Sequence, residues 1–82
     1  MKTIDFKVGE NVSYDAKMAG EIVTALSETS ANVFIIAGNA RVNAKSIIGV
    51  ISLALKPGDE ISVQSQGNGE EEAVQIVKNL LG

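Results

Sequence analysis

Apolar and polar residues alternate at the head of the chain. Ile4, Phe6 and Val8 interleave with Thr3, Asp5 and Lys7, the two-residue period of a strand with one wet face. The polar stretch Gly9 to Asp15 breaks the pattern and reads as a loop. Ala19, Ile22, Val23 and Leu26 then recur at helical spacing, which predicts an amphipathic helix over residues 16–28. Asp15 stands where its N-cap belongs. Asn32 to Ala37 is a β-branched and aromatic run, and Arg41-Val42-Asn43 resumes it after Gly38-Asn39. A Gly-Asn pair between two such runs is a hairpin signal.

Ser46 opens the apolar segment Ile47-Ile48-Gly49-Val50-Ile51-Ser52-Leu53. Periodicity alone leaves both a buried strand and a short helix open there; a serine at its start favours the capped helix, with Val50 and Leu53 facing inward. Lys56-Pro57-Gly58-Asp59 has the composition of a turn. Glu60 to Gln66 alternates again, with Ile61, Val63 and Ser65 on one face. Asn68-Gly69 then reads as a turn into a last amphipathic helix marked by Ala73, Ile76, Val77 and Leu80. Glu70, Glu71 and Glu72 in its first turn and Lys78 near its end both match the helix dipole. The order β-α-β-β-α-β-α, with four strands covered on one side by helices, predicts a two-layer α+β sandwich forming one domain over residues 1–82.

Composition narrows the function. The 82 residues, 45% hydrophobic and 21% charged, suit one small core and leave little room for a deep, water-excluding active site. Surface recognition of proteins is the expected task, not self-sufficient catalysis. A net charge of −3, no basic cluster and only three aromatics (Phe6, Tyr14, Phe34) remove the footing for nucleic-acid binding. The chain has no cysteine and no histidine, which excludes disulfides, thiolate metal sites and the commonest general base. Three successive glutamates point in different directions on a helix, so no metal site is expected. No cofactor is implied. The start of the chain lacks a signal-peptide core, and the longest apolar stretch, Ile47 to Leu55, is too short to span a bilayer. The expected setting is the cytoplasm, away from membranes.

Lys45-Ser46-Ile47-Ile48-Gly49-Val50-Ile51-Ser52-Leu53 closely resembles the conserved segment of the HPr family, the small phosphocarriers of the bacterial sugar phosphotransferase system. Val42-Asn43-Ala44, Gln66-Gly67-Asn68-Gly69-Glu70-Glu71-Glu72-Ala73 and Phe6-Lys7-Val8 are similar in register, so the resemblance covers nearly the whole chain. It implies an open-faced sandwich with an antiparallel sheet of order 1-4-2-3 and three helices on one face. The family carries its phosphoryl group on a histidine in a Gly-Ile-His-Ala-Arg-Pro-Ala type segment. The aligned stretch here is Ser13-Tyr14-Asp15-Ala16-Lys17-Met18-Ala19, with Asp15 for histidine, Lys17 for arginine and Met18 for proline. Without a histidine, phosphohistidine chemistry is impossible in this chain.

Two residues carry most of the functional expectation. Ser46 serves as a helix cap, and the resemblance adds a regulatory phosphorylation site for an HPr-type serine kinase; the two roles are compatible because phosphate suits a helix N-terminus. Asp15 also serves as a cap. Its functional alternatives are a fixed charge imitating phosphohistidine, or an acyl-phosphate acceptor with only Lys17 at hand to offset charge. The resemblance implies a docking face over residues 15–20 and 46–52. Its candidate contacts are Asp15, Lys17, Gly20, Lys45, Ser46, Ile47, Ile48, Gly49 and Ile51. Lys17 and Lys45 would pair with a partner's carboxylates or with phosphoserine, while Arg41 and Lys56 are solvated surface. The implied partner is a transcription regulator or metabolic enzyme bound once the serine is modified. The alternatives are phosphotransfer through Asp15 and a relative that keeps only the fold. A monomer is expected; a related branch exchanges strands into dimers.

Overall fold

The computed structural model describes residues 1–82. Alternation in each strand becomes two faces of one sheet. β1 (Lys2–Lys7), β2 (Asn32–Ala37), β3 (Ala40–Asn43) and β4 (Glu60–Gln66) pair antiparallel in the order β1-β4-β2-β3. In this register Ile4 faces Val63, Phe6 faces Ile61, Val63 also faces Ile35, and Ile35 faces Val42. Cross-strand partners share a face, so these apolar residues form one continuous floor. The opposite face holds Thr3, Asp5, Ser62 and Gln64, with Phe34 among them.

The floor is covered by α1 (Ala16–Leu26), α2 (Ile47–Ser52) and α3 (Glu70–Leu81). α3 lies on β4 and β1, α2 packs beside β3, and α1 rests on both other helices. Ile22, Leu26, Val33, Ile35, Val50, Val63, Val74, Val77 and Leu81 are all sealed from solvent, each worth about 1.5–3 kcal/mol of transfer free energy. Ser65 is buried with them, and its hydroxyl donates to the Glu70 carbonyl at 2.6 Å. That bond is why a polar residue is tolerated at the third inward position of β4.

The topology expected from the resemblance is the one found, and the segment after Ser46 is helical. Several details differ from expectation. α1 stops at Leu26, two residues short, because Ser27 takes over its carbonyls: the Ser27 N–H reaches Val23 and Thr24, and its hydroxyl donates to Thr24 at 2.6 Å. Such bonds tighten a last turn and end the helix. The buried stripe of α3 is Ala73, Val74, Val77 and Leu81, with Ile76 and Leu80 half-buried on its flank. Val23 is likewise only half-buried. Arg41 is exposed but not merely solvated, since its guanidinium lies 3.8 Å over the Phe34 ring, a cation–π contact on the open sheet face. The β2–β3 hairpin turns at Gly38, whose φ of +60° is what the first position of a two-residue II′ turn requires.

Candidate functional site

Two helix starts and the loops feeding them define the site. At α2, Ser46 has extended backbone and its Oγ accepts the Gly49 N–H at 3.2 Å. The residue is exposed. The chain is steered into this position by a short relay: the Asn43 side chain accepts the Lys45 N–H at 2.8 Å, and the Asn43 carbonyl accepts the Ser46 N–H at 3.0 Å. The Ser46 carbonyl then takes the Val50 N–H at 2.9 Å. The N–H groups of Ile47 and Ile48 have no acceptor within the chain, as expected in a first helical turn. An exposed hydroxyl therefore sits beside backbone donors that point outward.

The side chains that follow divide cleanly. Val50 is fully buried and Leu53 half-buried against the core, the inward positions expected of them. Ile47, Ile48 and Ile51 are 46%, 82% and 43% exposed. Apart from Met1 they are the large hydrophobic residues the fold leaves in water. Helical geometry sets this pattern: Ile48 and Ile47 lie three and four positions before Ile51 and share its face, which points outward when Val50 takes the core. A Cβ on Gly49 would stand 3.4 Å from both the Ser46 Oγ and the Val42 Cβ and 3.5 Å from the Asn43 carbonyl, so this position of α2 faces β3.

At α1, Asp15 is an exposed N-cap in extended conformation, and its Oδ1 accepts the Met18 N–H at 2.9 Å. Its carbonyl accepts the Ala19 N–H at 3.0 Å. The capping geometry thus occupies one carboxylate oxygen. Lys17 is exposed and makes no ion pair; the pairs present are Lys2–Glu71, Lys7–Glu60 and the terminal amine with Glu70, all elsewhere. Lys17, Gly20 and Glu21 border a shallow depression between α1 and Leu80 of α3. Nothing lies within 4 Å of a Cβ built on Gly20, so that side of the helix is open. No group of three or more acidic, cysteine or histidine side chains is close enough to hold a metal ion.

Lys45 departs from expectation. Its ammonium is half-buried and donates to the Thr29 carbonyl at 2.7 Å, which ties the approach to α2 onto the segment after α1. The charge is used internally, so it is not a free hand for a partner. Tyr14 is the residue that sequence reasoning missed. It precedes the Asp15 cap, packs against the core, and its phenol O–H donates to the carbonyl of Val50 in α2. Burial pushes its pKa up from 10.0 to about 12, and donating that hydrogen bond works in the same direction. An aromatic at the position before a helix cap suggests local packing, but nothing in the sequence names Val50 as its acceptor.

Comparison with known proteins gives a consistent set of likenesses. A family model described as the PTS HPr component phosphorylation site matches residues 2–82. The phosphocarrier protein HPr of Mycoplasma capricolum is 34% identical over 74 residues, spanning 90% of this chain and 83% of that protein. The HPr-like protein Crh of Bacillus subtilis is 37% identical over 60 residues, spanning 73% of this chain and 71% of that protein. The crystal structure of a phosphocarrier protein HPr from Bacillus anthracis superposes with a TM-score of 0.90 at 28% identity, over 99% of this chain and 96% of that one.

Proposed function

The chain belongs to the HPr family, and from that premise we propose that it is a regulatory adaptor of the phosphotransferase and carbon-catabolite network, working by protein–protein binding under control of phosphorylation at Ser46. The observation that carries this reading is the exposed Ser46 hydroxyl beside three solvent-facing isoleucines, 47, 48 and 51. Apolar side chains clustered on the outside of a small domain are suited to a partner's hydrophobic pocket. A phosphoryl group transferred from ATP to Ser46 would meet the unpaired N–H groups of Ile47 and Ile48 and the positive end of the helix. It would add roughly two negative charges at the rim of the patch without displacing any core residue.

In this reading Asp15 aligns with the family's phosphorylated histidine and replaces it with a permanent charge, so the chain is a divergent member that binds rather than carries. Its carboxylate already caps α1, and Lys17 is the cation at hand beside it. That is a poor setting for an acyl phosphate, which needs its charge offset. Lys17 and Gly20 offer the open side of α1 to the partner, Gly49 lies within α2 itself, and Lys45 contributes by holding Ser46 in place through Thr29. The partners in this reading are an HPr-type serine kinase and a transcription regulator or metabolic enzyme, met by a monomer in the cytoplasm, where ATP is available.

The test uses the intact chain with ATP and an HPr-type serine kinase, read by mass spectrometry with fragment mapping. One phosphoryl group on Ser46, absent from Ser46→Ala, is the expected result. No modification at Ser46 sinks the switch. Label arriving at Asp15 from phosphoenolpyruvate and the upstream enzyme of the system would instead establish phosphotransfer.

A further inference from the structure

α2 has only six residues, too few for a helix to hold itself together in water. Most of its side-chain surface also faces away from the core: Val50 is its one fully buried residue, while Ile47, Ile48 and Ile51 face solvent. Its start is fixed by the Ser46 cap and by Lys45 on Thr29. At its far end the Val50 carbonyl is among those a helix leaves without a full set of partners. It accepts the Leu53 N–H at 3.2 Å and, from 36 positions earlier in the chain, the Tyr14 phenol. Tyr14 is joined directly to Asp15, the cap of α1, and α1 packs against α2.

We infer that Tyr14 is the positioning residue of the docking face, its phenol O–H holding the far end of α2 to the head of α1 so that the exposed isoleucines and the Asp15–Lys17 corner are presented as one surface. The inference rests on the proposed docking role for its consequences in binding, but its structural content stands apart from that role. Without the hydroxyl, α2 keeps its cap and its Val50 anchor yet loses the contact that opposes rolling. The isoleucines then sample several orientations, and a partner must select one of them.

The experiment compares amide hydrogen exchange in the intact chain, in Tyr14→Phe, which keeps the ring and removes the hydroxyl, and in Val77→Ala. The last variant lowers stability from the buried face of α3, which is not one of the elements α2 packs against. Amides of Val50, Leu53 and Ala54, whose bonds lie inside and just after α2, should exchange about tenfold faster in Tyr14→Phe, the factor conferred by one ordinary hydrogen bond. Sheet amides such as Ile35 and Val63 should rise far less. If Val77→Ala speeds the α2 amides as selectively as Tyr14→Phe does, or if Tyr14→Phe leaves them unchanged, the positioning role is overturned. With an HPr-type serine kinase, Tyr14→Phe should raise KM for the chain about fivefold with kcat unchanged. A kinase that ignores both proteins counts against the proposed function, while the exchange pattern still decides what Tyr14 does.

Discussion

Replacing Ile48 by serine separates what the patch contributes to folding from what it contributes to binding. The side chain is 82% exposed, so less than a fifth of it leaves water when the chain folds. A fully buried isoleucine is worth about 1.5–3 kcal/mol, which limits the folding loss in Ile48→Ser to roughly 0.5 kcal/mol. Helix propensity does not obscure the comparison, because serine and isoleucine rank together. If a partner covers the exposed remainder, the same area scale puts about 1–2 kcal/mol on the complex, a loss in affinity of roughly five- to thirtyfold. Val50→Ala, two residues along and fully buried, should behave oppositely and cost about 2 kcal/mol of stability through lost burial and a cavity. Urea unfolding followed by circular dichroism gives the first quantity, and the KM for an HPr-type serine kinase gives the second. A loss above 1 kcal/mol in Ile48→Ser would mean that the side chain is packed, not exposed. An unchanged KM would mean that the kinase does not use it.

Three other perturbations have outcomes fixed by the geometry. Ser46→Ala removes the bond to the Gly49 N–H and should lower stability by about 1 kcal/mol in thermal or urea melts, whereas Ser46→Asp should retain most of the cap. Gly20→Ala meets no atom within 4 Å and should raise stability by roughly 0.5–1 kcal/mol through helix propensity; weakened kinase recognition in the same variant would show that a partner approaches α1 there. Tyr14 makes stability pH-dependent at the alkaline end. Its folded pKa of about 12 exceeds the ordinary 10.0, so the unfolded chain loses the phenol proton first. The contribution is complete below pH 10 and declines as pH rises from 10 to 12. Allowing for the solvent-facing part of the ring, the decline is about 1–2 kcal/mol. Urea midpoints across that range should fall more steeply for the native chain than for Tyr14→Phe, and equal slopes would refute the burial argument.

Two features stand at the starts of packed helices: a charged corner at the head of α1 and an apolar patch on α2. The corner carries a carboxylate engaged in capping, while the patch is largely exposed at Ile48 and about half exposed at Ile47 and Ile51. The chain holds no histidine for phosphohistidine transfer, and the exposed apolar patch supports the proposed binding role.

Periodicity was enough for β1, β4 and the two long helices, because apolar positions every second or every third to fourth residue report directly which face meets the core; β2 and β3 were legible from their β-branched runs and the Gly-Asn pair between them. The absence of histidine is likewise a fact of composition that needs no fold. Capping was legible at Asp15 and Ser46, since it is a local bond between a side chain and an N–H three residues on. The exposure of Ile47, Ile48 and Ile51 was not legible, because a six-residue apolar run has the same pattern whichever of its faces is covered. Only the packing of α2 beside β3 and α1 settled it. The Lys45 bond to Thr29 and the Tyr14 bond to Val50 belong to the same class. Each joins residues far apart in the chain, and such pairs become neighbours only after the sheet order β1-β4-β2-β3 has closed around a common core.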